Sequence, residues 1–266
     1  MTTATPASPS AAEVAAARLF ARTCAAEWTR RWTVRSTWWF LAAAAVTMIG
    51  IGTIAGLDAS SDPGPASGDP AWAAAAIPAF PGQFALLALA LTAVTADYAT
   101  GGIVPTLQWT PRRSVLFLAR TLVATGTATA IGVLLALAGA VAAFTAAYPT
   151  LTLPVAEGLE VLGTVALVFA TGTAFSVGLG FLLRSTAGGL VTVFLVMLVL
   201  PVLLPAFGYP WLTTLADGLP GSGAAFLLIG GGTNLTGSGA RTVLLLWAAG
   251  ALLLGGLRFA RDDANR

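Results

Sequence analysis

The side chains that carry out most enzymatic chemistry are absent or isolated in this chain. All 13 basic residues are arginine, with no lysine and no histidine. A Walker-type phosphate loop needs its lysine, and zinc sites and general acid–base catalysis lean on histidine. Cys24 is the single cysteine, so the sequence provides no internal disulfide and no cysteine-rich metal cluster. Without a histidine partner it reads as a small buried apolar residue. The glycine-rich stretch near residue 230 lacks both the lysine and the strand-to-helix frame of a phosphate loop. Asn234–Leu235–Thr236 matches a glycosylation acceptor, a match read as chance. The sequence therefore predicts no catalytic site, no metal and no cofactor held by the chain itself.

Two stretches concentrate the polar residues that remain. The segment Asp97–Arg113 is too long for a simple turn and is centred on Gly101–Gly102. Pro105 and Pro111 divide it, and Arg112 and Arg113 anchor its exit to headgroups. A segment of this kind between two spans is suited to pass force from a soluble partner to membrane helices; a solvated loop whose basic end only sets topology is the plainer reading. The second stretch, residues 11–36, has Phe20, Cys24, Trp28 and Trp32 at four-residue spacing. Arg18 and Arg22 project nearly opposite Phe20, and Arg30 nearly opposite Trp28. This predicts an amphipathic helix suited to the bilayer surface, or one docked against other protein.

The elements around these stretches are apolar helices. Hydrophobic residues make up 57% of the chain and charged residues 9%, against about 25% charged in soluble domains. A crossing needs about 20 apolar residues. Six candidates follow, at about Trp38–Leu57, Phe80–Ala96, Ser114–Phe144, Leu159–Leu183, Ala187–Phe207 and Thr242–Phe259. Residues 1–10 read as disordered and do not look like a signal peptide. Ala224–Ile229 reads as a short re-entrant or interfacial piece. The expected fold is all-α and polytopic: a disordered 1–10, an amphipathic interfacial helix over 11–36, and a six-helix transmembrane domain over 37–266, with the re-entrant segment before its last span.

Arginine placement sets the expected orientation. With the N-terminus in the cytoplasm, 12 of the 13 arginines lie inside and Arg241 alone outside. Both termini are then cytoplasmic. The pI near 9.2 reflects an excess of only +2, which topology explains without nucleic acid. The middles of the spans hold no ionisable residue, and Asp97 and Arg120 sit near the inner border. This argues against a proton- or sodium-coupled carrier and against a charged pore ring. Small residues crowd the spans: Gly52 and Gly56 in the first, and Gly172, Thr173, Ser176, Gly178 and Gly180 in the fourth. They suit close helix approach, whether as packing within the bundle, a dimer seam or a substrate path.

Asp97–Tyr98–Ala99–Thr100–Gly101–Gly102–Ile103, followed by Thr106–Leu107 and Pro111–Arg112–Arg113, resembles the first cytoplasmic loop of actinobacterial ABC exporter permeases of the type-2 membrane-domain family. Glu27–Trp28–Thr29–Arg30 with Val34–Arg35–Ser36–Thr37–Trp38–Trp39 is similar to that family's entry helix. Leu219–Pro220 before the last span and a short Arg/Asp tail also fit. Asp97 stands where the family more often has Glu, Ala99 where a basic residue is common, and Gly102 where Thr is common. The resemblance implies a half-transporter of the bacterial cell membrane. Its coupling loop would comprise Asp97, Tyr98, Thr100, Gly101, Gly102, Thr106, Leu107, Pro111, Arg112 and Arg113. Its interfacial helix would use Phe20, Glu27, Trp28, Arg30, Trp32 and Arg35. A separate ATPase subunit would bind ATP and Mg, and a second permease copy or paralogue would complete the path. The alternatives are a non-transporting scaffold or sensor subunit and a membrane-embedded enzyme.

Overall fold

The computed structural model describes residues 11–61, 68–109, 112–230 and 234–261. The expectations for residues 1–10 and for the last five residues of the tail fall outside this set. Every element within it is a helix, and the one extended pairing among the described residues is an isolated bridge between Pro70 and Thr152. In chain order the helices are α1 (Ala11–Thr33), α2 (Arg35–Ser61), α3 (Ala73–Thr100), α4 (Ile103–Trp109), α5 (Arg113–Ala146), α6 (Val155–Leu183), α7 (Thr186–Ala206, with a π-turn at Leu195–Val199), α8 (Pro210–Asp217), α9 (Pro220–Ile229) and α10 (Gly237–Arg261).

Six of these, α2, α3, α5, α6, α7 and α10, are long and apolar enough to cross a bilayer. The chain is a multi-pass membrane protein. Each span matches the run expected from hydropathy to within a few residues, with one large difference at the start of the second. The second span begins at Ala73, not near Phe80, because the helix continues through Pro78 and Pro81. Proline removes one donor from the helical ladder. In a membrane bundle neighbouring groups can take up the carbonyl this frees, so proline is a weaker stop signal here than in water. The expected single helix over 11–36 divides at Val34, giving α1 and the first turn of α2.

Burial ranks the spans. In their most apolar windows α6 is 78% buried and α3 67%, against 22% for α2 and 17% for α7. The first two are therefore the centre, and α2 and α7 offer one face to lipid. Close backbone approach makes this packing possible. A side chain at Gly52 of α2 would sit 2.7 Å from the Gly139 carbonyl oxygen of α5, and one at Gly178 of α6 would collide with the Ala251 backbone of α10. Of the readings open for the small residues, packing within the bundle accounts for Gly52, Gly56 and Gly178.

The segment before the last span is more elaborate than expected. Ala224–Ile229 is the second half of a helix that starts at Pro220, and a further helix, α8, precedes it at a bend of 78°. Proline at the first position starts both helices. The pair returns to the end it leaves. Arg184 at the end of α6 reaches the Arg258 carbonyl (3.4 Å) near the end of α10, so these helices run parallel. Helix α7 doubles back from α6, so its last turn and the first turn of α10 share one end. Gly221 rests on the Met197 backbone, halfway along α7. The bend therefore enters the bundle without crossing it. Ser222 donates to the Ala216 carbonyl (2.6 Å) and Trp247 to that of Gly218 (2.8 Å), which satisfies backbone oxygens freed at the break.

At this same end, backbone bonds join the loops before α3 and α6. Thr152 N donates to the Asp69 carbonyl and Ala71 N to the Thr152 carbonyl, both at 2.9 Å, and the Trp72 indole donates to the Pro154 carbonyl at 2.8 Å. The opposite end gathers most of the arginines.

Gly178→Leu should separate α10 from α6 and remove most of the monodisperse protein in size-exclusion chromatography after detergent extraction. Gly126→Leu, where a side chain meets nothing within 4 Å, should leave the elution profile unchanged. Equal profiles for the two variants would refute this packing.

Candidate functional site

Helix α3 stops because Gly101 takes the left-handed conformation, with φ of 71°, a state that glycine alone adopts freely. Gly102 follows, and a new helix of seven residues, α4, starts at Ile103. Thr106 ties this helix back to the turn, with its hydroxyl on the Gly102 carbonyl at 2.7 Å. Ile103, 3% exposed, is its anchor, packed among Val94, Leu116, Phe181 and Phe259. Pro105 and Gln108 face outward. Leu107 contributes its backbone to α4, its side chain falls outside the described residues, and so does the whole of Pro111. Arg112 is exposed, and Arg113 opens α5 with its guanidinium on the Phe259 carbonyl at 3.2 Å.

The root of this segment is Asp97, in the last turn of α3 and 3% exposed. Two guanidinium groups hold it. Arg30 of α1 engages both carboxylate oxygens, with Nη1 to Oδ2 at 2.7 Å. Arg120 of α5 reaches Oδ2 with Nη2 at 2.8 Å. Arg120 is completely buried and also donates to Glu27 of α1, from Nη2 at 2.7 Å and from Nε at 3.1 Å. Four charges thus tie α1, α3 and α5 together. The hydrogen bond to Asp97 is the main reason the Arg30 guanidinium is held above its ordinary pKa. A fifth charge, Arg31, lies beside them. Burial pulls it down to about 10, so it remains cationic at neutral pH.

Helix α1 consequently docks by a polar stripe. Thr23, Glu27 and Arg31, four residues apart, are its buried positions, while Trp28 is 49% exposed. Of the two readings of residues 11–36, the docked one describes the inner face. The aromatic residues and Arg18 and Arg22 lie on the remaining surface. Trp28, Trp32 and Trp38 stack in series at 5.4 and 5.7 Å. Phe20 is half-buried, and Arg35 is exposed beyond the break at Val34, away from the ion pairs. Burial pushes the Cys24 thiol up, against a nucleophilic role.

The structure thus joins Glu27, Arg30 and Asp97, which sequence reasoning singled out, with Arg31 and Arg120, which it did not. Tyr98 lies apart from them, with the Arg184 guanidinium 5.3 Å from its ring centroid. Thr100 is exposed and bonds its own helix at the Ala96 carbonyl. A cavity of about 310 Å³ separates α1 from α4, lined by Thr23, Ala26, Glu27, Arg30, Pro105, Thr106 and Leu116. Among the described residues the arrangement brings together two carboxylates and three guanidinium groups. Its chemistry is that of an ionic joint beneath a short exposed helix. No protein-family model matches the chain, and no curated protein matches it.

Removing one partner of a buried ion pair costs about 3–5 kcal/mol. Arg120→Met should therefore lower the thermal midpoint of the detergent-solubilised protein sharply, and Glu27→Gln should lower it less, because Arg120 retains Asp97. The double variant should be more stable than the sum of the two losses implies, by roughly 0.5–3 kcal/mol. Strict additivity would mean that Glu27 and Arg120 do not act as a pair.

Proposed function

We propose that this chain is the membrane-spanning permease subunit of an ATP-binding cassette exporter, acting with a separate ATPase subunit and with a second permease copy or paralogue. The observation that carries this reading is α4, a short helix set between two spans at the arginine-rich end, hinged on Gly101 and displaying Pro105 and Gln108. By the arginine rule that end is cytoplasmic, where a soluble ATPase can reach it. The protein would then reside in a bacterial cell membrane with both termini inside. The sequence resemblance to type-2 exporter permeases supports the same assignment.

The geometry suggests how force would travel. A push on α4 loads α3 through Gly101 and α5 through Arg113. Because Asp97 and Arg120 are ion-paired to each other and to α1, those two spans would move as one body. ATP and Mg would bind the partner, since this chain has no lysine for a Walker loop. The cargo would be amphiphilic or apolar, such as a drug, a peptide or a lipid-like molecule, because the middles of the spans hold no charge for an ionic one. Antibiotic self-resistance is one role of this kind.

The test is co-purification of the chain, tagged at its C-terminus and extracted in mild detergent from its native host. A stoichiometric ATPase should accompany it and should be lost when α4 is replaced by a flexible linker. Gly101→Val supplies a finer test. A side chain there meets nothing within 4 Å, so the fold should persist, while the positive φ costs about 1–2 kcal/mol and re-aims α4. ATP-driven transport should fall several-fold with insertion intact. A chain that purifies without any ATPase, or full transport in Gly101→Val, would refute the coupling assignment and favour a scaffold subunit.

A further inference from the structure

The ionic joint holds one guanidinium more than its carboxylates neutralise. Arg30 engages Asp97, and Arg120 engages both Asp97 and Glu27. Arg31 is 6% exposed, yet among the described residues the one hydrogen bond of its guanidinium is a 3.5 Å contact to the Ala124 carbonyl, and its Nε has none. Glu27, one turn before it, attracts Arg31 but already answers Arg120, so the cluster keeps one buried positive charge in excess, and buried charges in proteins are normally balanced.

A cavity of about 70 Å³ adjoins this side chain. At about 10–15 Å³ per water on this measure, it has room for an oxyanion. Glu27, Arg30, Arg31, Ser36 and Thr37 form its polar wall, and Leu89, Thr92, Ala93 and Ala96 of α3 a mainly apolar one. The break at Val34 gives it a second attraction for anions. Ser36 and Thr37 lie in the first turn of the 27-residue α2, which Val34 precedes; Thr37 N donates to the Val34 carbonyl at 3.2 Å, while the N–H groups before it have no partner within the helix and carry partial positive charge. A buried guanidinium and a helix N-terminus therefore meet at one cavity. Its level in the molecule identifies the anion's carrier. Trp38 and Trp39, 57% and 76% exposed, begin the first span as interfacial tryptophans do, and the apolar wall continues along α3 toward the bilayer core.

We propose that the elbow between α1 and α2 binds a phosphate oxyanion, supplied by the headgroup of a phospholipid in the leaflet at the arginine-rich end, with Arg31 and the first turn of α2 as its ligands. The phosphate balances the charge of the joint, and its acyl chains lie along α3. Any lipid phosphate fits this chemistry, and an anionic headgroup fits the net positive cluster best. The site does not depend on the transport reading.

The experiment measures thermal unfolding of the delipidated full-length protein in detergent. It is titrated separately with phosphatidylglycerol, with diacylglycerol of the same acyl chains, and with inorganic phosphate at matched ionic strength. Phosphatidylglycerol should raise the midpoint by several degrees and saturate, while the other two should not. Arg31→Gln should raise the half-maximal lipid concentration about tenfold, the loss of one charge-assisted hydrogen bond. Ala96→Phe fills the cavity while keeping every charge, so it should abolish the response and decides the matter if Arg31→Gln does not fold. Arg22→Gln, on the exposed side of α1, should respond like the parent. A full response to inorganic phosphate would overturn the lipid assignment and make soluble phosphate the ligand. An equal response to diacylglycerol, or an unchanged response in Ala96→Phe, would overturn the site.

Discussion

A guanidinium group that is completely shut away from water must be answered by acids, and Arg120 imposes that condition on the whole arginine-rich end. Its Nη2 stands between Glu27 and Asp97 at 2.7 and 2.8 Å. Neither acid is on its own helix, so α1 and α3 must both reach α5 at this level. That fixes the docking of an N-terminal helix whose remaining surface has little to hold it. It also fixes the last turn of α3, and through Gly101 the place where α4 begins. Removing the guanidinium would leave two carboxylates to share Arg30, which is why this joint is all-or-none in character.

Elsewhere the bundle is held differently. Lipid is as apolar as a leucine side chain, so burial of hydrocarbon does little to bring spans together, and close packing must do it. The glycines of α2, α6 and α10 serve that end by letting backbones touch. The far end adds a set of inter-loop backbone bonds between the segments before α3 and α6. Polar groups thus knit both ends of the protein, while the middle relies on shape. The least buried span, α7, is also the one with a π-turn, a feature that interrupts the helical ladder where the α8–α9 bend packs against it.

Much of this was legible in the residues. Six apolar runs gave six spans, and Gly101 with Pro105 and Pro111 marked the interruption in which α4 lies. The inner face of α1 was harder to see. The aromatic residues at four-residue spacing dominate its pattern, yet the buried stripe is Thr23, Glu27 and Arg31, one residue ahead of Cys24, Trp28 and Trp32. Amphipathicity assumes that the apolar face is the buried one. Here the docking surface on α5 is ionic, so the side that packs on protein is the polar stripe, and the aromatic side is left for the bilayer surface that the sequence pattern assigns it. Arg120 carried a signal, an arginine inside an apolar run, but its partner Glu27 lies 93 residues away, and no periodicity connects them. The α8–α9 bend was half visible, because glycine and proline show where a helix breaks but not that its pieces turn back through 78°.

The placement of the joint follows from the cost of charge in a bilayer. At the centre of a span an arginine costs at least about 2.5 kcal/mol, and the middles of these spans carry none. Arg120 stands seven residues into α5, a helix of 34 residues. At 1.5 Å per residue that helix is about 51 Å long, against about 30 Å of hydrocarbon. The surplus leaves room for its first turns, which carry Arg113 and Arg120, to stand outside the hydrocarbon, and the arginine rule places that end at the inner border, with Arg120 about 10 Å from the start. There the charges are buried by protein but need not enter hydrocarbon, and the nearest lipid atoms are headgroups. The surplus length of α5 and the presence of an ion cluster are in this sense one feature. A span of minimal length would push Arg120 toward the bilayer core and make the joint between α1, α3 and α5 far more costly to keep.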